Sequence, residues 1–367
     1  MKNVKLFIAL CIGVIPILYS SNDSILLETT NQVVLPYCLA KEDPTRIFAV
    51  DSKTAELSKE GKITVHLNNA IETIKGNIIF TDANLKKALL THTPIIDTNS
   101  DGEISENEAK NVKELFLNRK NIYDLSEIKY FTALTKLECN NNQLTTLDIS
   151  KNTALDRLSC IQNQLTTLDV SKNTKLRSLN CIQNQLTTLD ISKNTALKWL
   201  ICGYNQLTAL DTSKNTKLTH LACNYNQITT LDVSKNMLLK WLVCSYNQLS
   251  TLDTSKNTEL EFLNCPNNQL TTLDTSKNRA LEFLNCQNNE LNTLDICKNI
   301  VLTRLECDNN QLYSLNMKNG NNVAFTEVSL KNNPSLTCIT VDNPTGSYVN
   351  KWQKDATTSY TNDCSTP

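Results

Sequence analysis

One cysteine returns every 21 residues through the middle of this chain. The stretch LECNNNQLTTLDISKNTA occupies positions 137–154, and LSCIQNQLTTLDVSKNTK follows at the same spacing. A unit of this size cannot bury its own leucines, so successive units must stack into a solenoid. The nine cysteines share one slot in the pattern LxxLxCxxNxL: Cys139, Cys160, Cys181, Cys202, Cys223, Cys244, Cys265, Cys286 and Cys307.

Each unit also has an inner period. The segments LTKLECNNNQ and LTTLDISKNTA are two versions of LxxLxxxxN. Side chains alternate along an extended segment, so Leu137 and Cys139 are predicted to point inward, and Leu144, Leu147 and Ile149 likewise. The sequence therefore predicts a mainly β solenoid, with short parallel strands on two faces of each turn. Asparagines such as Asn142 and Asn152 should form ladders that bond to turn backbone.

These repeats resemble a bacterial leucine-rich repeat subclass with nested 21-residue units, often called IRREKO type. More distantly, they resemble the internalin-like surface proteins. The resemblance extends from about residue 80 to the C-terminus. It implies a right-handed solenoid with a small helical N-terminal cap and an irregular C-terminal cap.

Fourteen cysteines would suggest a disulfide framework if the protein is exported, as its N-terminus predicts below. Parallel neighbours in a stack do not face each other as a disulfide requires, so the repeated cysteines are predicted to be reduced, buried thiols. A metal or redox column is the alternative, although no paired CxxC supports it. Cys338 and Cys364 stand outside the ladder and are predicted to form a disulfide in the C-terminal cap. Cys38 and Cys297 have no predicted partner.

The N-terminus reads MKNVKLFIALCIGVIPILYSSNDS, two lysines followed by an apolar run. This predicts a signal peptide over residues 1–21, and a secreted or cell-surface protein with no membrane span in the mature chain. An uncleaved membrane anchor is the alternative. The predicted organisation continues with a segment of unknown structure (22–80), a helical cap (81–111), the solenoid (112–322) and the C-terminal cap (323–367).

The segment DTNSDGEISENE has the spacing of an EF-hand calcium loop. Gly102 fills the sixth position and Ile104 the eighth. The loop is predicted to hold a structural Ca²⁺, the alternative being an acidic turn that caps a helix. The predicted ligands are Asp97, Asn99, Asp101, Glu103 through its carbonyl, Ser105 through water, and Glu108 as a bidentate ligand.

The net charge and the absence of catalytic motifs restrict the possible functions. The net charge of -1 gives no reason to expect a nucleic-acid or anionic-membrane partner. Three widely separated histidines, with no HExxH, GxSxG or phosphate loop, predict a protein that is not an enzyme.

The aspartates from Asp148 onward form an outward column beside Lys151 and its counterparts. This column is interpreted as a solvated side, and calcium binding or an ice-like array with the Thr146 column are the alternatives.

The exposed strand positions vary between copies. One column runs Lys136, Arg157, Ser178, Trp199, His220, Trp241, Phe262, Phe283 and Arg304, and a second contains Tyr204, Tyr225 and Tyr246, with Ile201, Ala222 and Val243 between them. Five consecutive ring-bearing residues predict an apolar patch roughly 20 Å long at the usual strand spacing. Exposed patches of this extent usually mark interaction sites, so we predict a monomeric protein that binds a protein partner. A glycan ligand, a structural surface protein, and rings that only stabilise neighbouring strands are the alternatives.

Overall fold

The computed structural model describes residues 76–364 and, before them, the backbone of six short strands. The predicted signal peptide lies outside the described residues except for the backbone of β1, and so does most of the segment 22–80. The six strands are β1 (Leu18–Tyr19), β2 (Ser24–Glu28), β3 (Cys38–Ala40), β4 (Asp43–Phe48), β5 (Ala55–Leu57) and β6 (Lys62–His66). Strands β1, β2, β6 and β5 form an antiparallel sheet, and β3 pairs with β4.

The chain divides into two compact units, residues 1–78 with 105–107 and residues 79–104 with 108–367. The second unit begins with helix α1 (Ala83–Leu90). The Asp82 carboxylate caps this helix by accepting bonds from the backbone N–H groups of Asn84 and Leu85. Leu85 and its neighbours Ala88 and Leu89 are the buried residues of this helix. A four-residue helix, α2 (Glu106–Ala109), follows.

The repeats build one parallel sheet of eleven strands. Equivalent residues pair across each interface, so Leu179 lies opposite Leu158 on one side and Leu200 on the other. The strands are β7 (Glu114–Phe116), β8 (Lys136–Glu138), β9 (Arg157–Ser159), β10 (Ser178–Asn180), β11 (Trp199–Ile201), β12 (His220–Ala222), β13 (Trp241–Val243), β14 (Phe262–Asn264), β15 (Phe283–Asn285), β17 (Arg304–Glu306) and β19 (Glu327–Ser329).

The core consists of columns of equivalent residues behind this sheet. Leu137, Cys139, Leu144 and Ile149 are all fully buried, and their counterparts in later turns repeat the pattern. All nine ladder cysteines are free thiols and buried. The alternation predicted from the sequence therefore sets the interior of the solenoid.

The second face pairs only near the C-terminal end. A four-stranded parallel sheet there contains β16 (Thr293–Asp295), β18 (Ser314–Asn316), β20 (Cys338–Thr340) and β21 (Ser359–Thr361). In the earlier turns the corresponding segments form no strand. The second row of short strands predicted from the sequence is therefore present in the C-terminal turns.

Parallel pairing continues after the 21-residue period is lost. Glu306 pairs with Ser329, and Gln353 forms an isolated parallel bridge to Ser329 beyond it. Cys338 and Cys364 form a disulfide with a Cα–Cα distance of 5.9 Å. Short 3-10 turns at Ser126–Tyr130, Asn322–Ala324 and Val349–Lys351 complete the unit. In the part of the chain that the structure describes, no helix has the length and apolar character needed to cross a membrane.

Candidate functional site

The first outward position of the strands carries a continuous column of rings. The parallel register places Trp199 beside His220, then Trp241, Phe262 and Phe283 on successive strands. The Trp199 and Trp241 side chains are 43% and 42% exposed. Stacking of the turns therefore gathers residues that are 21 positions apart in sequence.

The contacts within this column are close at one end and loose at the other. Ring centroids lie 3.8 Å apart between Trp241 and Phe262, and 4.3 Å between Phe262 and Phe283, with nearly parallel planes. Arg304 closes the column with its guanidinium 5.0 Å from the Phe283 centroid. His220 is looser, at 5.8 Å from Trp199 and 6.3 Å from Trp241.

A second row of rings stands at the carboxyl ends of three of these strands. Tyr204, Tyr225 and Tyr246 stack with centroids 4.1 and 4.0 Å apart. Each has a positive φ near 52°, as do the residues at the same position in the other turns. Tyrosine is an unusual choice for this backbone region, where asparagine is favoured and occurs in several other turns. The rings therefore occupy a position that backbone preference alone would assign to a smaller side chain.

An apolar floor lies between the two rows. Ile201, Ala222 and Val243 are half-buried on the middle strands, and Gly203 beside Tyr204 is buried. A Cβ on Gly203 would lie 2.9 Å from the backbone oxygen of Asn224 in the next turn, so glycine permits the close approach of these two turns. The floor residues are shorter than the rings of the two rows, and the surface formed by the rows and the floor is called the trough below.

The sequence analysis did not include two further apolar residues of this surface. Ile161 and Ile182 are half-buried at the position directly after the ladder cysteine, two turns and one turn before Gly203 respectively. They extend the floor toward the N-terminal turns. The same position holds Gly203, Asn224 and Ser245 in later repeats. This variation in the sequence could have identified the position as outward-facing, because a position in the core would be less variable.

Charges of opposite sign flank the ring column on its amino-terminal side. Lys198 precedes Trp199 and Glu282 precedes Phe283, and both side chains are exposed. Within residues 76–364 neither forms an ion pair, whereas Lys240 between them is bonded to Glu261 at 2.6 Å. Arg304 is likewise paired with Glu306 and Glu327. One exposed, unpaired cation and one exposed, unpaired anion therefore mark the two ends of the column.

His220 lies in the middle of this surface. Burial among the neighbouring rings lowers its pKa, the nearby Lys240 lowers it further, and Glu261 acts in the opposite direction. Its Nδ1 lies 2.9 Å from the Thr219 hydroxyl. The neutral imidazole is therefore favoured, which keeps the centre of the surface uncharged.

The ladder cysteines do not contribute to this surface chemically. Complete burial raises the pKa of the Cys139 and Cys181 thiols to about 12. The thiolate is the reactive species, so these thiols are unreactive at neutral pH. In the described part of the chain, the ladder cysteines belong to no group of three or more histidine, cysteine and acidic side chains that could hold a metal ion.

The acidic loop has a defined backbone conformation. The Asp97 carboxylate accepts bonds from the N–H groups of Asp101 and Gly102, at 3.2 and 3.0 Å. Asp101 in turn accepts from the Glu103 N–H at 2.8 Å. Gly102 has a φ of +79°, a conformation that favours glycine, and the Ile104 side chain is fully buried. The loop is thus folded around its aspartates and anchored by its isoleucine.

The remaining predicted calcium ligands are placed differently. The Glu103 side chain is bonded to Lys86 of α1 at 2.6 Å, which leaves its carbonyl as the group for a cation. Glu108 accepts from the Thr98 N–H and hydroxyl at 2.8 and 2.9 Å. Asn99 accepts from the Asp101 N–H, and Ser105 pairs with Asn77 in an isolated antiparallel bridge. The donor set is oxygen-rich and suits calcium, but its carboxylates do not converge in the described arrangement.

Known structures with the same architecture include the functional domain of InlJ from Listeria monocytogenes, which includes a cysteine ladder. It is 33% identical over 71% of this chain, with a TM-score of 0.53, and the match spans 65% of the InlJ domain. No protein-family model matches this chain, and no curated protein matches it. The chain has the fold of a leucine-rich repeat solenoid.

Two further solenoids are similar in fold alone. A leucine-rich repeat protein of Leptospira interrogans is 24% identical over 68% of this chain and 73% of its own, with a TM-score of 0.55. The ectodomain of the Arabidopsis thaliana receptor kinase GASSHO1/SCHENGEN3, solved with CASPARIAN STRIP INTEGRITY FACTOR 2, is 20% identical. That match covers 63% of this chain and 33% of the ectodomain, with a TM-score of 0.54.

Proposed function

We propose that this leucine-rich repeat solenoid is an exported binding protein that recognises a protein partner through the exposed strand face of its middle turns. The observation that carries the proposal is the apolar trough, formed by the two ring rows and the floor at Ile201, Ala222 and Val243. If the rings served only to stabilise neighbouring strands, their stacking would be explained. The outward floor of aliphatic residues would not be explained. Exposed apolar surface of this extent is typical of an interface.

The stacking favours a protein partner over a glycan. A sugar binds an aromatic side chain by covering the ring face. In the rows of Tyr204 to Tyr246 and Trp241 to Phe283, neighbouring rings at 3.8 to 4.3 Å cover each other's faces. Ring edges and tyrosine hydroxyls remain for the partner. These groups suit apolar side chains and the polar backbone of a polypeptide.

A screen on the intact protein tests the proposal. Wild type, the double variant Trp199→Ala/Trp241→Ala and the control Tyr313→Ala are compared against a random peptide display library and a glycan array. Tyr313 is a matched control because it is 62% exposed and lies outside the trough. Peptides selected on wild type should bind Tyr313→Ala equally and bind the double variant at least about tenfold more weakly, as expected for interface tryptophans.

Binding is normalised to the folded fraction, because Trp241→Ala also removes its stacking on Phe262. Glycan ligands that depend on both tryptophans would replace the protein partner by a sugar polymer. A double variant that keeps every interaction of the wild type would leave only a structural role for the rings.

A structural calcium ion is proposed for the acidic loop. The supporting observation is the loop geometry: Asp97 organises the turn, Ile104 anchors it, and Glu103 turns its side chain away toward Lys86. Asp97, Asn99, Asp101, the Glu103 carbonyl, Ser105 through water and Glu108 would hold the ion. Calcium would neutralise the clustered carboxylates and so stabilise the folded cap.

Calorimetric melting with calcium and with chelator tests the calcium proposal. At a concentration 100 times the dissociation constant, calcium should stabilise the folded state by about 2.7 kcal/mol. Glu108→Ala should remove most of this gain, whereas Glu106→Ala, an acid on the same helix outside the ligand positions, should retain it. Coincident melts with and without calcium would contradict a structural ion.

A further inference from the structure

The ends of the trough differ in charge, and this difference restricts the partner. Lys198 beside Trp199 and Glu282 beside Phe283 are exposed and unpaired within residues 76–364. Four strand spacings separate them, which is roughly 19 Å. Among the other charges on this edge, Arg177 and Arg157 both pair with Asp156, and Lys240 is bonded to Glu261.

The floor between these ends is uncharged. Ile201, Ala222 and Val243 are followed by Asn264 and Asn285, and only beyond them does Glu306 appear, already bonded to Arg304. Burial holds His220 toward its neutral form at the centre. A partner lying along the trough thus meets a cation at one end, apolar and neutral side chains over the middle, and an anion at the other end.

We propose that the partner is an extended polypeptide segment with an apolar middle, a basic end over Glu282 and an acidic end over Lys198. This inference rests on the proposed protein-binding function. An extended chain rises about 3.3 Å per residue, so about six residues span the distance between the two charges. Electrostatic complementarity of this kind fixes the direction in which a segment lies and excludes segments with like charges.

Four labelled synthetic peptides with one six-residue apolar core test the inference by fluorescence anisotropy. They carry two lysines and two glutamates at opposite ends, lysines at both ends, glutamates at both ends, or no charge. Wild type should bind the dipolar peptide about tenfold more tightly than either uniformly charged peptide at low salt. Raising the salt concentration should reduce the preference, because exposed charges are screened.

Glu282→Lys makes both ends of the trough basic. This variant should bind the peptide with glutamates at both ends most tightly. The control Glu290→Lys makes the same change of formal charge at an exposed position outside the strand face, and should keep the preference of the wild type. An unchanged preference in Glu282→Lys would overturn the inference.

The two levels of the proposal fail in different ways. Peptides that bind wild type but bind Trp199→Ala/Trp241→Ala more weakly, with no dependence on charge arrangement, would overturn only the inferred charge pattern. Peptide binding that is insensitive to both tryptophans would overturn the proposed function itself.

Discussion

At the scale of single residues, the buried asparagines of the turns differ in their hydrogen bonding. The side chain of the preceding turn decides whether the asparagine Oδ1 has a donor. Asn236, Asn278 and Asn299 accept a bond at Oδ1 from the hydroxyls of Thr212, Thr254 and Thr275, each 24 residues earlier. Where isoleucine or valine occupies the threonine position, the asparagine Oδ1 is buried and has no partner among the described residues. This is so for Asn152, Asn173, Asn194, Asn215 and Asn257.

This pairing predicts an unusual effect of Val233→Thr. Replacing a buried valine by threonine normally destabilises a protein, because the hydroxyl is desolvated. Here the new hydroxyl should reach Asn257 Oδ1, as Thr254 reaches Asn278, and stabilise the fold by about 1 kcal/mol. Urea unfolding measures the change.

The reverse variant, Thr254→Val, should destabilise the fold by about 1–2 kcal/mol by leaving Asn278 Oδ1 unsatisfied. Val301→Thr, at an exposed valine, is the control and should be close to neutral. A loss of stability in Val233→Thr would show that the hydroxyl does not reach the amide oxygen.

At the scale of the repeated elements, the second half of each turn ends in the same aspartate-centred turn. In Asp169, Asp190 and Asp211, Oδ1 accepts a bond from the N–H of the serine two residues later, at 2.8 Å. This backbone bond, with the serine hydroxyl, lowers the pKa of the carboxyl below its ordinary value of 3.8. The aspartate column is thus accounted for by turn formation, and the lysines beside it lower the same pKa.

The lowered pKa predicts a loss of stability in acid. A carboxyl with a lower pKa in the folded state stabilises the fold at pH values above its unfolded pKa. This stabilisation should be lost as the pH falls below 3.8 through the folded pKa. Thermal melts between pH 7 and pH 3 should show the decline.

Triple replacement Asp169→Asn/Asp190→Asn/Asp211→Asn should make the decline shallower, because asparagine keeps the acceptor for the serine N–H but does not titrate. The matched change Glu259→Gln affects an exposed acid for which no backbone bond is seen among the described residues, and should leave the pH profile unchanged. An identical profile in the triple variant would contradict a role for these turns in acid sensitivity.

At the scale of the whole solenoid, each turn contacts mainly its neighbours, so the ends control how the stack opens. The Cys338–Cys364 disulfide joins β20 to the residues after β21, the last strand of the second sheet. Trp352 packs edge-on against Phe325 and Tyr360 in the same region. These contacts close the C-terminal end of the apolar interior.

Removing the disulfide is predicted to open the solenoid from this end. Cys338→Ser/Cys364→Ser should lose about 3–4 kcal/mol of local stability by the loop-entropy estimate. Hydrogen exchange should rise first at Ser314–Asn316 and Cys338–Thr340, and remain slow at Trp199–Ile201. Cys297→Ser, which restores the serine of the other turns, is the control. Uniform loss of protection along all turns would contradict opening from the end.

Much of the architecture could be predicted because the signal was repeated. The inward column at Cys139 and the outward column at Trp199 both followed from local rules: side-chain alternation and unit length. Each rule acts within a few residues, and because the sequence repeats, it predicts the same inward and outward positions in every turn. The absence of facing cysteine pairs in the ladder also followed from strand geometry.

The sequence by itself thus determined the solenoid, its interior and the outward position of the rings. Only the tertiary structure decided what that surface presents. The covered ring faces of Phe262 and Tyr225, the addition of Ile161 and Ile182 to the floor, and the unpaired charges of Lys198 and Glu282 all depend on distances between turns. Those distances are set when residues 21 positions apart are brought into contact, and no local pattern specifies which ring, hydroxyl or charge will meet which neighbour.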